Sequence, residues 1–199
     1  MDYSNLQVGI LALQGDYSLH ERQVRKLGAS AHLVRLPKHL ENLDGLIMPG
    51  GETTTMDILI DRFGLREPLA QFGRSRPIYG TCAGMILLAK EIVGNQSGVK
   101  TFGLIDIDVS RNDYGRQIHS FDEELTADLK GKATIFRASF IRAPRVMRVG
   151  DEVSVLSVYE KSPVLVRQQH ILAASFHAEL EEDTTLLEFF FQDFLLSRR

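Results

Sequence analysis

The first half of the chain alternates short apolar runs with amphipathic segments. The apolar runs predict buried strands at 7–13, 31–36, 45–48 and 77–79. Helices are predicted between them, one capped by Asp16 and ended by Gly28, another capped by Thr53 or Thr54. The last of these strands runs directly into a helix predicted at 85–91. Because strands that alternate with helices form parallel sheets covered on both faces, this half predicts an α/β fold.

The second half contains strand-like segments with few helical ones between them. Apolar and polar residues alternate at 102–109, as in a half-buried strand. Further strands are predicted at 133–136, 152–159, 164–167 and 171–176. An apolar helix is predicted at 184–196, with its four phenylalanines packed on the sheet. These segments predict an antiparallel extension of the mostly parallel sheet, within a single domain that spans residues 1–199.

The composition is that of an ordinary globular protein. Hydrophobic residues make up 44% of the 199 residues and the net charge is −3, with no cluster of Lys and Arg suited to nucleic acid. The apolar runs are too short to span a membrane, and the first five residues lack the pattern of a signal peptide. Cys82 is the only cysteine, so no internal disulfide can form and we expect a cytoplasmic location.

The most informative segment is the strand–turn–helix that contains Cys82. Gly80 and Gly84 flank the cysteine as Gly-x-Cys-x-Gly, which is the pattern of a nucleophile elbow with cysteine in place of serine. Such a turn exposes the sulfur above the carboxyl edge of the sheet and leaves the Ala83 N–H free to donate to an oxyanion. The alternative is that Cys82 is a small buried hydrophobic residue, the usual fate of a free cysteine.

A cysteine nucleophile needs a base, and six histidines are available. Most of them are expected to be ordinary surface residues. His177 differs because it follows a predicted strand, as Cys82 does, and Glu179 lies two residues on. In an extended chain both side chains share one face, so the carboxylate can orient the imidazole as in a triad. A His-x-Glu pair alone is common on surfaces, and its weight comes from the elbow.

A third strand end carries Pro49-Gly50-Gly51-Glu52. Its glycines allow close approach of the backbone to a ligand and supply a second oxyanion N–H, and Glu52 is suited to an ammonium group. A plain glycine-rich turn is the alternative. Gly-x-Gly-x-x-Gly is absent, the segment 94–101 departs from a phosphate loop, and no metal-site spacing occurs. We therefore expect neither a cofactor nor a metal.

Together these residues resemble the class I glutamine amidotransferases, and within that class the glutaminase subunits of pyridoxal 5′-phosphate synthase. The resemblance covers essentially the whole chain. It is carried by GILALQG (9–15), LIMPGGETTTM (46–56), YGTCAG (79–84), RNDYGRQ (111–117), FIRAP (140–144) and SFHAEL (175–180). The elbow and the His-x-Glu pair are shared by the wider class, whereas PGGE, RNxxGRQ and FIRAP are specific to this branch.

The resemblance implies a three-layer, flavodoxin-like sandwich and a defined reaction. The nucleophile, base and orienting acid would be Cys82, His177 and Glu179, which hydrolyse L-glutamine through a glutamyl thioester. The oxyanion N–H groups would come from Gly51 and Ala83. The residues that hold the substrate would be Gly51, Glu52, Thr53, Arg111, Ile141 and Arg142.

The resemblance also implies a partner. The synthase subunit of a large hetero-oligomer would receive the ammonia for pyridoxal phosphate (vitamin B6) biosynthesis. Family glutaminases are nearly silent until docked, so we expect the oxyanion hole to be incomplete in the free protein. Gln14 resembles a residue that helps this activation. Two positions depart from the family pattern, because Ala178 replaces a proline and Thr53 replaces a serine. Ala178 is expected to loosen the base, and Thr53 to have a modest effect.

Three alternatives remain open. The chain could serve another amidotransferase branch, such as histidine, purine or tryptophan synthesis. It could be a cysteine peptidase or stress protein of a neighbouring family, in which the base usually lies elsewhere in the chain. It could also be a degenerate subunit that only binds a partner, although the presence of all three triad residues disfavours that.

Overall fold

The computed structural model describes residues 1–111 and 120–198, which form twelve strands and five α-helices. The strands are β1 (Gln7–Leu11), β2 (Ser30–Val34), β3 (Gly45–Met48), β4 (Ile78–Thr81), β5 (Ala89–Ile92), β6 (Ile105–Ser110), β7 (Phe121–Leu129), β8 (Lys132–Phe140), β9 (Arg145–Val149), β10 (Ser154–Tyr159), β11 (Ser162–Gln168) and β12 (Ile171–Ala174). The helices are α1 (Tyr17–Lys26), α2 (Thr53–Arg62), α3 (Arg66–Ser75), α4 (Ala83–Leu88) and α5 (Thr185–Phe190).

A seven-stranded sheet forms the centre of the molecule, in the order β10-β11-β12-β4-β3-β1-β2. The five strands from β12 to β2 are parallel, with Ile10 opposite Ile47 and Tyr79 opposite Leu172. The strands β10, β11 and β12 pair antiparallel. The predicted fold, a mostly parallel sheet with an antiparallel extension from the second half, is confirmed.

Both faces of this sheet are buried. Along β3, Leu46 and Met48 belong to one apolar core and Ile47 belongs to the other, as the two-residue period of a strand requires. Helices α2, α3 and α4 cover the first core. Helices α1 and α5 cover the second, together with the β7–β8 hairpin. The strands that lie between two helical layers are therefore apolar on both sides, which is why they read as continuous apolar runs.

Four elements of the structure, β5, β7, β9 and α3, differ from what the pattern predicts. The helix after Cys82 ends at Leu88, and the next residues form β5, where a helix had been predicted through residue 91. Pairing with β6 decides this, since Glu91 and Ile92 lie opposite Asp108 and Val109. The same three-stranded sheet contains β9, which the pattern missed, and helix α3 and strand β7 were also not predicted.

The helix ends show which caps form. Gly28 follows α1 with a φ of +88°, as predicted for its stop. Asp16 occupies the position before α1 but makes no capping hydrogen bond with its side chain. The cap of α2 is Glu52 rather than Thr53 or Thr54, because both of its carboxylate oxygens accept from backbone N–H groups.

The predicted C-terminal helix is present as three successive segments. Helix α5 continues into a π-helical turn at Phe191–Leu195 and a 3-10 turn at Leu196–Arg198. Phe189, Phe190, Phe191 and Phe194 are buried in the core, as expected. Within the described residues, none of the helices combines the length and apolar character needed to cross a membrane.

Candidate active site

Four parallel strands end at the same edge of the sheet, and the segments that follow them form the site. Cys82 follows β4, His177 lies three residues after β12, the Pro49–Glu52 loop follows β3, and Gln14 lies three residues after β1. Because parallel strands share their direction, these four segments meet outside their carboxyl ends, where open α/β folds bind ligands.

Cys82 has the backbone conformation of an elbow. Its φ of 47° and ψ of −103° are rare for a residue with a side chain, and such strain is often kept at functional sites. The Cys82 N–H donates to Ala174 O at 2.9 Å, which ties the turn to β12. A Cβ at Gly80 would lie 2.8 Å from the carbonyl carbon of Gly84, so this turn needs glycine.

His177 and Glu179 form a buried pair next to Cys82. The His177 Nδ1 and Glu179 Oε1 atoms are 2.8 Å apart, and neither side chain is appreciably exposed. A 3-10 turn at Ala178–Leu180 places the carboxylate, rather than the extended chain that the sequence suggested. The backbone of His177 is held by Ser139, which accepts its N–H at 2.8 Å and donates back at 3.4 Å.

The charges around His177 favour its protonated form. Burial alone would lower the pKa of His177, but the neighbouring Cys82 and Glu179 side chains outweigh burial and raise that pKa to about 10. For Glu179 the signs are reversed, because burial alone would raise the pKa of a carboxyl group. The neighbouring His20 and His177 outweigh burial and hold the pKa of Glu179 well below its ordinary value. A thiol beside an imidazole that is readily protonated can transfer its proton and become a nucleophile.

The glycine loop after β3 packs directly on the base. The Gly50 N–H donates to Thr81 Oγ1 at 3.1 Å, and a Cβ on Gly50 would lie 2.8 Å from His177 Nδ1. Gln14 fixes the other side of the loop, since its Oε1 accepts the Glu52 N–H at 2.8 Å. Gly51, with a φ of 151°, lies between these two anchors.

Arg111 and Glu52 lie together beside this loop. Arg111 Nη2 is 3.3 Å from Glu52 Oε1 and 3.2 Å from Thr54 Oγ1. Burial opposes the ionisation of Glu52, but the hydrogen bonds from Thr55 and Thr54 lower its pKa to about 2. Thr53 is buried at the start of α2. The rest of the RNDYGRQ segment, residues 112–117, lies outside the described residues.

The remaining predicted residues are Ile141, Arg142 and Ala83. The carbonyl oxygen of Ile141, directly after β8, lies 3.9 Å from Cys82 Sγ as a hydrogen-bond acceptor. Arg142 follows it with a φ of 47° and an exposed side chain. Ala83 is fully buried as the first residue of α4. The structure thus brings Ile141 to the nucleophile and the Glu52–Arg111 pair to the loop.

Sequence comparison assigns the chain to a known family. Residues 10–196 match the family described as SNO glutamine amidotransferase. The chain belongs to this family. Its curated relatives include pyridoxal 5′-phosphate synthase subunit PdxT of Geobacillus kaustophilus, which is 48% identical over 93% of each chain. The PdxT subunit of Thermosipho africanus is 46% identical over 93% of this chain and 97% of its own.

A solved structure supports the same assignment. The crystal structure of a glutamine amidotransferase superposes with a TM-score of 0.86 at 44% identity, and the match covers 93% of this chain and 97% of the other. Both the fold and the enzyme class expected from the resemblance are therefore confirmed for this amidotransferase.

One group in the described part of the amidotransferase could hold a metal ion. Ligand atoms of Asp16, His177 and Glu179 all lie within 4.8 Å of one another. His177 Nδ1 is nonetheless closer to Glu179 (2.8 Å) than to Asp16 (3.8 Å). An ion here would compete for the atoms that orient the imidazole. That the reaction uses no metal stays a prediction.

His20 and Thr81 are the site residues that sequence reasoning missed. His20 is buried against Glu179, although most histidines were expected at the surface. Its position on α1 gave a signal, since residues 17, 20, 24 and 27 share one helical face that carries Val24 and Leu27. Thr81 gave no such signal, because its contacts come from three separate segments.

Proposed function

We propose that this amidotransferase is the glutaminase subunit of a pyridoxal 5′-phosphate synthase. It hydrolyses L-glutamine to L-glutamate and ammonia, and the ammonia passes to the synthase subunit. The observation that carries the proposal is the buried Cys82–His177–Glu179 set at the carboxyl edge of the sheet. The proposal is supported by the PdxT relatives, which are curated as subunits of that synthase.

The reaction follows from the order of the three side chains. His177 takes the Cys82 proton, and the thiolate attacks the side-chain amide carbon of glutamine. The imidazolium then protonates the departing nitrogen, which leaves as ammonia while a glutamyl thioester remains on Cys82. Neutral His177 removes a proton from water, the water attacks the thioester, and glutamate and the thiol are released. Glu179 holds the imidazole and stabilises its charged form.

The residues around the triad suit the substrate. The N–H groups of Gly51 and Ala83 are the proposed oxyanion donors. Arg111 or Arg142 suits the α-carboxylate, because a guanidinium fork matches a carboxylate. Glu52 remains ionised and suits the α-ammonium group, while Thr53 and Ile141 complete the pocket. In the free protein Glu52 and Arg111 neutralise each other, so glutamine would replace that contact.

We propose that docking of the synthase subunit completes the oxyanion hole. The support is the Gln14 hydrogen bond to the Glu52 N–H, which together with the Gly50 N–H bond to Thr81 fixes the loop on both sides of Gly51. A contact that moves Gln14 would free this loop to turn a backbone N–H toward the substrate. We further propose that residues 1–199 act as one domain, because the central sheet combines strands from both halves of the chain, from β1 (Gln7–Leu11) to β12 (Ile171–Ala174). The proposed location of this domain is the cytoplasm.

The test is glutamate release from glutamine, with and without a pyridoxal phosphate synthase subunit, for the parent chain and Cys82→Ala. We expect release to rise on addition of the synthase and to disappear in Cys82→Ala. Release that persists in Cys82→Ala would overturn the assigned nucleophile. A folded, docked parent chain that releases no glutamate would instead identify a subunit that only binds its partner.

A further inference from the structure

A second imidazole lies behind the triad carboxylate. His20 Nε2 is 3.5 Å from Glu179 Oε1, the same oxygen that His177 Nδ1 contacts at 2.8 Å. His20 Nε2 is also 3.2 Å from Thr81 Oγ1, which in turn donates to Glu179 Oε1 at 3.5 Å. Only 1% of His20 is exposed. Two histidines and one hydroxyl thus converge on a single carboxylate oxygen.

Because Glu179 is buried, its carboxylate depends on the few hydrogen-bond donors that reach it. Glu179 is wholly inaccessible to solvent, and its second oxygen, Oε2, has no hydrogen-bond partner among the described residues. A buried carboxylate without donors is strongly disfavoured, so its position depends on the groups at Oε1. The Tyr79 hydroxyl is also buried, but it makes no hydrogen bond within the described part of the chain. His20 and Thr81 are therefore the donors that remain besides the base itself.

The proton positions follow from the partners of Thr81. Its oxygen accepts the Gly50 N–H at 3.1 Å, and its own hydrogen points to Glu179. A hydrogen on His20 Nε2 can then be donated to Thr81 Oγ1 and Glu179 Oε1, whereas a bare Nε2 would face two lone pairs. This arrangement joins the triad carboxylate to the Gly50 loop through one hydroxyl.

We propose that His20 is a positioning residue, which holds Glu179 Oε1 where it can orient His177 and which supports Thr81 beneath the Gly50 loop. This inference rests on the proposed glutaminase reaction. His20 touches neither the thiol nor the proposed pocket residues in any described contact, so it acts through Glu179. Within residues 1–111 and 120–198, the other ionisable groups that face the His177–Glu179 pair are Cys82, Asp16, at 3.8 Å from His177 Nδ1, and Tyr79.

A matched pair of substitutions separates the hydrogen bond from packing. In His20→Gln the side-chain amide nitrogen can reach the place of Nε2, so a donor is retained. In His20→Asn the amide nitrogen overlays Nδ1 instead, so the donor to Glu179 and Thr81 is lost. Both replacements are polar amides that differ by one methylene. His32→Asn serves as a control, because His32 is exposed on β2 and pairs with Gln7.

Two measurements are needed. The first is the rate of Cys82 alkylation by iodoacetamide against pH in the free chain, which is specific because Cys82 is the only cysteine. The second is kcat and KM for glutamate release with the synthase subunit present. The alkylation profile reports the thiol–imidazole pair without turnover, so it stands even if the proposed reaction fails.

We expect His20→Asn to shift the alkylation profile and to lower kcat about tenfold with KM little changed. His20→Gln should restore most of both, and His32→Asn should match the parent. A His20→Asn variant with parental kcat and alkylation profile would overturn the proposal. It would also be overturned if both variants lost activity equally, in step with thermal stability and with no change in the alkylation profile, since that is the result of packing alone.

Discussion

A methyl group at Gly50 should disable the base while leaving the fold intact. In Gly50→Ala the new Cβ would lie 2.8 Å from His177 Nδ1 and 3.1 Å from Nε2, and closer still to Cε1. Ordinary contacts of this kind need about 3.5–4.0 Å, so the ring or the loop must move by ~1 Å. His177 cannot follow freely, because Ser139 holds its backbone through two hydrogen bonds. A misplacement of about 1 Å can cost about 100-fold in rate, and we expect kcat to fall by that order.

The assay is glutamate release with the synthase subunit present, together with thermal unfolding. Gly28→Ala is the matched control, since its Cβ would meet no atom within 4 Å but its φ is +88°. That variant should lose about 1–2 kcal/mol of unfolding free energy from its left-handed backbone and keep its kcat. Gly50→Ala should instead lose kcat and keep its unfolding free energy. A Gly50→Ala variant that keeps kcat within about twofold would refute the argument that the loop and the imidazole are in fixed contact.

Three further substitutions test other parts of the site. Glu179→Gln should lower kcat about 10- to 100-fold, the worth of a charge-assisted hydrogen bond, in the glutamate-release assay. Because the folded pKa of Glu179 is depressed, the ionised side chain stabilises the fold above pH 4.5, and this stabilisation is lost as the pH falls through the folded pKa. The unfolding free energy of Glu179→Gln should therefore fall less than that of the parent chain as the pH is lowered. Gln14→Ala removes the acceptor of the Glu52 N–H and should lower docked glutamate release by about 2- to 10-fold. Alkylation of Cys82 should be unaffected, and exposed Gln71→Ala is the control. Ala178→Pro places proline at the first position of a 3-10 turn and should raise the unfolding free energy by about 0.4–1 kcal/mol with kcat retained; a lower melting temperature would contradict this.

The parts of the fold that sequence could predict are those set by local pattern. The runs at 45–48 and 171–174 carry no polar side chain, and they became β3 and β12 because strands between two helical layers bury both faces. The segment Ala89–Ile92 shows the limit. Its apolar ends suit a helix or a strand equally, and only the pairing with β6 decides between them.

The site residues that could be predicted are likewise those in local motifs. Cys82 could be identified because the elbow is a local motif, with both glycines and the strand-to-helix change within a few residues. The PGGE loop was equally local, yet its cap was assigned to the wrong residue, because Glu52 competes for the same N–H groups as the threonines. His20 was missed because its role depends on Glu179, which lies far away in sequence and reaches it only through the packing of α1.

The departure at Ala178 shows how tertiary contacts can replace a local restraint. A proline after His177 would limit the backbone of the base, and its loss was expected to loosen the imidazole. The structure restrains His177 in another way, through the two hydrogen bonds to Ser139 at the end of β8. Ser139 is itself fixed through its hydroxyl, whose one hydrogen is directed to Asp122 Oδ1 at 2.7 Å and Glu181 Oε1 at 3.1 Å. The base is therefore held from the hairpin side as well as by Glu179, so the orientation of His177 depends on β8 more than on the residue that follows it.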